Sequence, residues 1–148
     1  MKIAIGSDHA GVALKDKIKA AFTDVEFLDM GTNSPESTDY PDHIAKVARA
    51  VQDGSVARGI GICGTGIGAS ITANKHRGIR AALATNEFMA EMSRMHNDAN
   101  MLILGSRVTG EDLSLAIVRR WLATGFEGGR HQRRLDKITA IEDAQSGA

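Results

Sequence analysis

The chain has 148 residues, of which 43% are hydrophobic and 24% are charged, a balance typical of a soluble globular protein. Its length predicts a single domain, residues 1–148, because domains commonly contain about 100 to 150 residues. Eighteen basic and eighteen acidic residues cancel and only 4% of residues are aromatic, which argues against a nucleic-acid partner, since that needs a basic face or a stacking platform.

Five short apolar runs recur along the chain, and each has the composition of a buried strand. They are KIAIGS at 2–7, VEFLD at 25–29, RGIGIC at 58–63, IRAALA at 79–84 and NMLILG at 100–105. Between the runs, apolar residues recur at helical spacing, as in Leu14, Ile18 and Phe22 or in Ile44, Val47 and Val51. This alternation predicts a doubly wound, Rossmann-like α/β domain with a five-stranded, mostly parallel sheet and helices on both faces.

The last segment has the pattern of a terminal helix. After Gly128 and Gly129 it restarts, and Leu135, Ile138 and Ile141 recur at three-residue intervals, which a helix gathers on one side. We expect this helix to extend beyond the core and to contact a second subunit.

The sequence indicates neither a membrane protein nor a secreted one. No apolar run approaches the roughly 20 residues of a membrane-spanning helix. Cys63 is the only cysteine, so an internal disulfide is excluded, and the start MKIAIGSD enters a strand pattern without the regions of a signal peptide. We therefore expect a cytoplasmic location.

A glycine-rich loop, CGTGIG at 63–68, follows the third predicted strand. Its glycines allow backbone N–H groups to face an anion, and the next helix adds its positive N-terminal end. Residues 59–64 match G-x-G-x-x-G, but the match lies inside the strand, so a dinucleotide site is not predicted. Ala69 stands where a Cys-x5-Arg phosphatase loop needs arginine.

Cys63 has two interpretations. A lone cysteine at a strand end is often a small buried hydrophobe. Its position at the carboxyl end of a strand, beside a helix N-terminus, is also one where a reactive thiolate forms and acts as a base or a nucleophile. In a doubly wound sheet this edge is where ligands bind, which favours the chemical interpretation.

Other polar residues are ambiguous from their patterns alone. Asp8 fits a helix cap and His9 a solvated loop residue, while His96 and Asn97 end a helical stretch. Arg130 and Arg134 share one helix face, which suits either a solvated surface or a clamp on phosphate that Arg107 completes. The five histidines form no metal-binding motif, so we expect no metal site.

Five motifs, which span nearly the whole chain in the family's order and spacing, resemble those of the type B ribose-5-phosphate isomerases. They are SDHAG at 7–11, GTNSPESTDYPD at 31–42, GICGTGIGASITANKHRGIRAA at 61–82, SRMHNDANMLILGSR at 93–107 and EGGRHQRR at 127–134. The resemblance implies a cofactor-independent aldose–ketose isomerase that works through a cis-enediolate. It also implies a homodimer or homotetramer with sites shared between subunits.

The resemblance also implies residue roles. Family members carry either this cysteine or a glutamate just after the last loop glycine, where this chain has Ala69, so Cys63 is the implied base. Thr65 and the loop amides would hold the enediolate, and His96 would assist ring opening. The implied substrate contacts are Asp8 and Tyr40 at ring and carbonyl oxygens, Asn97, the loop residues Gly64, Gly66, Ile67 and Gly68, and, for phosphate, His9, Arg107, Arg130 and Arg134.

Three alternatives remain open. The family also includes isomerases of allose 6-phosphate, galactose 6-phosphate and tetrulose phosphates, and substrate size would depend on the loop around Tyr40, on Asn97 and on the unranked candidates Ser7, Asn33, His43 and Glu87. A non-catalytic module that binds a sugar phosphate or nucleotide would use the same glycine loop. A thiol redox sensor fits less well, because Cys63 has no second cysteine to resolve an oxidised form.

Overall fold

The computed structural model describes residues 1–146, and in them a five-stranded sheet is flanked by six α-helices. The strands are β1 (Lys2–Ser7), β2 (Glu26–Asp29), β3 (Arg58–Cys63), β4 (Ala81–Leu83) and β5 (Met101–Gly105). The helices are α1 (Val12–Ala21), α2 (Tyr40–Gln52), α3 (Ile67–Asn74), α4 (Glu87–Met95), α5 (Glu111–Ala123) and α6 (Arg130–Ser146), and a 3-10 turn, His9–Gly11, precedes α1. The predicted doubly wound α/β fold is confirmed.

The strand order is β2-β1-β3-β5-β4, and every neighbouring pair in this sheet is parallel. From β1 the chain moves outward to β2 and then crosses back to place β3 on the other side of β1. The direction of winding therefore reverses between β1 and β3. In open α/β sheets a crevice for ligands forms at such a reversal, outside the carboxyl ends of the strands.

Each face of the sheet packs on its own layer of helices, because successive strand residues point to opposite sides. Ile60 and Ile62 of β3 belong to a core with residues of α1, α4 and α5. Cys63 faces the other way and belongs to a core with residues of α2 and α3, among them Ile44 and Ala69. Cys63 thus points toward the α2 and α3 side of the sheet.

Two glycines in β3 allow α2 to approach the sheet closely. A Cβ atom at Gly59 would lie 2.5 Å from Cγ1 of Val47, and one at Gly61 would lie 2.9 Å from Cδ1 of Ile44. The apolar side chains of α2 therefore rest directly on the backbone of β3. This contact fixes the distance between α2 and the sheet. The first residue of α2 is Tyr40.

Helix α6 packs against its own chain through part of its predicted apolar side. Leu135 is buried, whereas Ile138 and Ile141 are exposed, and the Glu142 carboxylate accepts the Gly78 N–H. The role of α6 in subunit contact stays a prediction. Within residues 1–146, none of the helices combines the length and the apolar character needed to span a membrane, and the cytoplasmic location also stays a prediction.

We expect the substitution Gly59→Ala to lower the free energy of unfolding by about 1 to 3 kcal/mol, because an added methyl group would overpack the contact with Val47. Urea denaturation measures this loss. Gly125→Ala is the matched control, because a Cβ there meets no atom within 4 Å, and its effect should stay within about 0.5 kcal/mol. Equal stability of the two variants would show that α2 does not depend on this close approach.

Candidate active site

The carboxyl ends of β1, β3 and β5 lie side by side and bring three loops together. Ser7 pairs with Ile62, and Cys63 pairs with Gly105. The backbone continues the register beyond the strands, because the Asp8 N–H donates to the Ile62 carbonyl at 3.2 Å. The loops that begin at positions 8, 64 and 106 therefore share one edge of the sheet.

The glycine loop turns the chain from β3 into α3 around the sulfur of Cys63. Gly66 has φ of 83°, a left-handed conformation that glycine adopts without strain. Its N–H donates to Cys63 Sγ at 3.2 Å, and the Ile67 N–H donates to Thr65 Oγ1 at 3.2 Å. Cys63 is buried, with 4% of its surface exposed, and its sulfur lies at the start of α3.

Tyr40 and Arg107 flank this loop. A Cβ atom at Gly68 would lie 2.4 Å from Cζ of Tyr40, so the phenol ring lies directly over the first turn of α3. On the other side, Nη1 of Arg107 lies 3.3 Å from the position of a Cβ at Gly64. An aromatic hydroxyl and a guanidinium thus border the glycine loop.

The loop after β1 presents Asp8 and His9 at the same edge. Asp8 Oδ1 accepts the Ala10 N–H at 3.0 Å, so Asp8 caps the 3-10 turn. Nδ1 of His9 accepts the Thr38 N–H at 3.2 Å. A neutral His9 ring therefore carries its proton on Nε2, which is left as a donor.

A second group of predicted residues lies at the junction of α4 and α6. The rings of His96 and His131 stack with centroids 4.1 Å apart and an angle of 12° between planes. The Glu127 carboxylate lies 4.0 Å from Nε2 of His96 and 3.9 Å from Nε2 of His131. Burial lowers the pKa of His131, and the neighbouring His96, Arg130 and Arg134 lower it further, against the opposite effect of Glu127.

Two arginine side chains hold the turn that carries Asn97. Nε of Arg80 donates to the Asn97 carbonyl at 3.0 Å. Nη1 of the buried Arg94 donates to Asp98 Oδ1 at 2.9 Å, and Asp98 has φ of 45°. Arg130 and Arg134 are exposed and flank His131 in sequence, at the start of α6. These residues form a second, separate group.

The two groups lie at opposite edges of the sheet. His96 caps the end of α4 just before β5 begins at Met101, whereas Cys63 pairs with Gly105 at the end of β5. Four residue steps of a strand span about 13 Å. One chain therefore gathers Asp8, His9, Tyr40, Arg107 and residues 63–68 at the carboxyl edge, and gathers His96, Asn97, Arg130 and Arg134 at the other.

The sequence matches the Ribose/Galactose Isomerase family over residues 3–138. The chain belongs to this family. Ribose-5-phosphate isomerase B of Escherichia coli K12 is 51% identical to it over 98% of this chain and 99% of that protein. The protein named putative sugar phosphate isomerase YwlF, from Bacillus subtilis 168, is 50% identical to this chain over 97% of this chain and 98% of that protein.

Solved structures of ribose-5-phosphate isomerase B from other organisms have the same fold as this chain. The Clostridium thermocellum protein superposes with a TM-score of 0.96 at 56% identity, covering 98% of this chain and 99% of that one. The Mycoplasma genitalium protein, solved with bound ribulose 5-phosphate, gives a TM-score of 0.92 at 42% identity, covering 96% of each chain. The predicted membership of the ribose/galactose isomerase family is confirmed.

Lys15 is a supporting residue of this isomerase that the sequence interpretation missed. It is fully buried, and its Nζ donates to Asp29 Oδ1 at 2.8 Å, to Asn33 Oδ1 at 2.8 Å and to the Thr32 carbonyl. A signal existed, because Lys15 lies three residues before Ile18, on the apolar side of α1. The ammonium group anchors the loop after β2 to the body of the domain.

The four further residues named as candidates for setting substrate size have different surroundings. Asn33 belongs to the Lys15 network, and Ser7 is fully buried. Nε2 of His43 lies 3.0 Å from Oγ1 of Thr38, which links His43 to the loop that contacts His9. Glu87 lies 3.9 Å from Arg120, at the start of α4. Asn33 and His43 thus support loops at the carboxyl edge.

The charge of Asp29 depends on its two lysine partners. Burial raises its pKa, but hydrogen bonds from Lys15, from Lys19 at 2.8 Å and from the Gly31 N–H lower it by more, so the pKa lies below its usual value. A lowered carboxyl pKa stabilises the fold above the pKa of the unfolded chain. The stabilisation disappears as the pH falls through the pKa of the folded form.

We expect Asp29→Asn to lower the free energy of unfolding by roughly 2 to 4 kcal/mol near pH 7, because Lys15 loses its buried counter-charge. The gap to the unsubstituted protein should narrow as the pH falls below the ordinary carboxyl pKa of about 4. It should close only below the lowered pKa of folded Asp29, where that carboxyl becomes protonated. Denaturant titrations at several pH values measure this difference in the free energy of unfolding. Lys19→Gln is the control and should cost under about 1 kcal/mol, because Lys19 is half-buried. A gap that persists unchanged at low pH would contradict the charge argument.

Proposed function

We propose that residues 1–148 form one cofactor-independent isomerase domain that interconverts ribose 5-phosphate and ribulose 5-phosphate through a cis-enediolate. The observation that carries the proposal is the position of Cys63, whose sulfur lies at the carboxyl edge of the sheet and accepts the Gly66 N–H at the start of α3. The names of the relatives in Escherichia coli and Mycoplasma genitalium support this substrate.

Cys63 is the proposed base. As a thiolate, it removes the proton from C2 of the open-chain aldose and returns it to C1, while the proton on the C2 hydroxyl moves to the oxygen on C1. No redox partner is needed, because the substrate is both oxidised and reduced within itself. The Gly66 N–H already donates to Sγ at 3.2 Å, and it lies at the positive N-terminal end of α3.

The same loop is proposed to stabilise the enediolate. Carbon acids next to a carbonyl are weak, so the reaction needs donors directed at the oxygen that becomes negative. Thr65 and the amides of the loop that starts α3 lie beside Cys63. Base and oxyanion donors therefore come from one turn of chain, which keeps their mutual geometry rigid.

The proposed phosphate contacts are the Nε2–H of His9 with the guanidinium groups of Arg107, Arg130 and Arg134. Two arginines at the start of α6 are electrostatically unfavourable in isolation, because the N-terminus of a helix is already positive. A phosphate dianion would reverse this effect and bind to both arginines and the helix end. Phosphate binding then orients the reacting carbons at a distance.

We infer that a complete site needs two copies of the chain, as a homodimer or a homotetramer. His96, proposed to open the furanose ring, lies at the opposite sheet edge from Cys63, and so do Asn97, Arg130 and Arg134. A neighbouring copy would bring its His96 edge to the Cys63 edge of the first. Exposed apolar side chains border the Cys63 edge at the starts of α3, α4 and α5, and a neighbouring copy there would cover them. They are Ile67, Ile71, Phe88, Met89 and Leu113.

Kinetic assays with a panel of sugar phosphates test the proposal. We expect turnover of ribose 5-phosphate in deuterated water to place deuterium at the exchanging carbon, with lower kcat/KM for allose 6-phosphate, galactose 6-phosphate and tetrose 4-phosphates. A higher value for one of these would reassign the substrate. Calorimetric binding with no turnover of any of them would instead indicate a non-catalytic module.

The variant Cys63→Ala tests the base in the same assay. We expect kcat to fall by about 10² to 10⁴, the usual contribution of a positioned general base. Ser70→Ala, on the half-buried side of α3, is the control that should retain activity. A Cys63→Ala enzyme with near-normal kcat would assign the proton transfer to another group.

Mixing two inactive variants tests the shared site. In a dimer of one Cys63→Ala chain and one His96→Ala chain, one site carries both substitutions and the other carries neither. An equal mixture after subunit exchange should regain about a quarter of the normal activity, because half of the dimers are mixed and each has one intact site. If both residues serve the same chain's site, the mixture remains as inactive as its components.

A further inference from the structure

We propose that His96, Glu127 and His131 form a binding site for a divalent transition-metal ion of the zinc class, and that an ion bound there inhibits the isomerase. The inhibitory part rests on the proposed role of His96 in ring opening. Metal binding itself rests only on the geometry of these three side chains, which are called the His–Glu–His cluster below.

The donor atoms of the His–Glu–His cluster lie close enough to share one ion. One nitrogen from each imidazole and one oxygen of the carboxylate all lie within 4.8 Å of one another. Two histidines and one carboxylate are the protein ligands of many open zinc sites, which leave a fourth position for water or substrate. The cluster thus has the composition of an open site.

His131 supplies an independent observation. Its side chain is 5% exposed, and Nε2 has no hydrogen-bond partner within the part of the chain that the structure describes. Buried nitrogen atoms normally have a partner, so an unsatisfied one directed at a neighbouring carboxylate and imidazole indicates a missing ligand.

An ion can reach the cluster from the His96 side. The His96 side chain is 39% exposed and the Glu127 side chain 49%. The two rings now lie nearly parallel, so their lone pairs run side by side, and His96 has to tilt out of the stack for both nitrogens to meet one ion. His131 is held by burial, which makes it the fixed ligand and His96 the adjustable one.

The surroundings select the class of ion. Arg130 and Arg134 follow Glu127 closely in sequence and carry positive charge at the start of α6. They oppose cations held mainly by charge, such as Mg²⁺ and Ca²⁺, which also prefer sets of oxygen ligands. Zn²⁺, Ni²⁺ and Cu²⁺ form strong bonds to imidazole and are the ions that this donor set favours.

Coordination would disable His96 chemically. A metal ion on Nε2 occupies the lone pair with which the ring accepts a proton, so His96 can no longer exchange that proton with the ring oxygen of the sugar. Sequence spacing did not indicate the site, because its ligands come from the end of α4, from the segment before α6 and from the first turn of α6.

Isothermal titration of the metal-free, full-length protein with ZnCl₂ tests the site. We expect one ion per chain. Glu127→Gln and His131→Gln should each weaken binding by on the order of 100-fold, since even the outer partners of metal ligands contribute about 10- to 100-fold. His76→Ala is the matched control and should bind normally, because His76 contacts the Thr72 carbonyl, outside the cluster. Titration with CoCl₂, followed by visible absorption, reports the coordination of the same variants independently.

Three results would overturn the site: no binding, equal affinity in the Gln variants and the control, or loss of binding in Cys63→Ala with retention in Glu127→Gln, which would place the ion on the thiol. For inhibition, Zn²⁺ should stop turnover of the unsubstituted and His76→Ala proteins over the range that fills the site, and EDTA should restore it. Full activity with the site filled would refute the inhibitory part. Absence of turnover with every sugar phosphate would refute only the proposed function, because the titrations need no activity.

Discussion

The parallel pairing of β1, β3 and β5 is the constraint on which the candidate site depends. Because these strands run in the same direction, their carboxyl ends carry Asp8, Cys63 and Arg107 to one edge. The same pairing sends the end of α4, with His96, to the other edge. The topology of the sheet thus divides the predicted site residues between two edges, and the proposed shared site would reunite them.

The sequence predicted the elements and the carboxyl-edge residues well, because both follow from local patterns. The predicted run at 58–63 matches β3, and the loop after it begins α3 at the expected glycine turn. The run at 79–84 was predicted too long, since only Ala81–Leu83 forms a strand. Asn100 explains part of this difference, because its side-chain oxygen takes the Arg80 N–H.

Tertiary contacts hid the remaining features from the sequence. Lys15 lies on the apolar side of α1, but its partner Asp29 is 14 positions along the chain and comes beside it only through β2. The stack of His96 on His131 depends on how α6 returns to α4, which no periodicity encodes. The division of the predicted site residues between two edges likewise follows from strand order, which the patterns alone leave open.

The contact between α2 and the bare backbone of β3 limits how far α2 can shift. A helix that packs through interlocking side chains can shift as those side chains change rotamer, but α2 lies against glycine positions that have no rotamers. Tyr40 is the first residue of α2, so it is held at a fixed distance from the Cys63 loop. The ring then forms a fixed wall over the first turn of α3, beside the Cys63 loop.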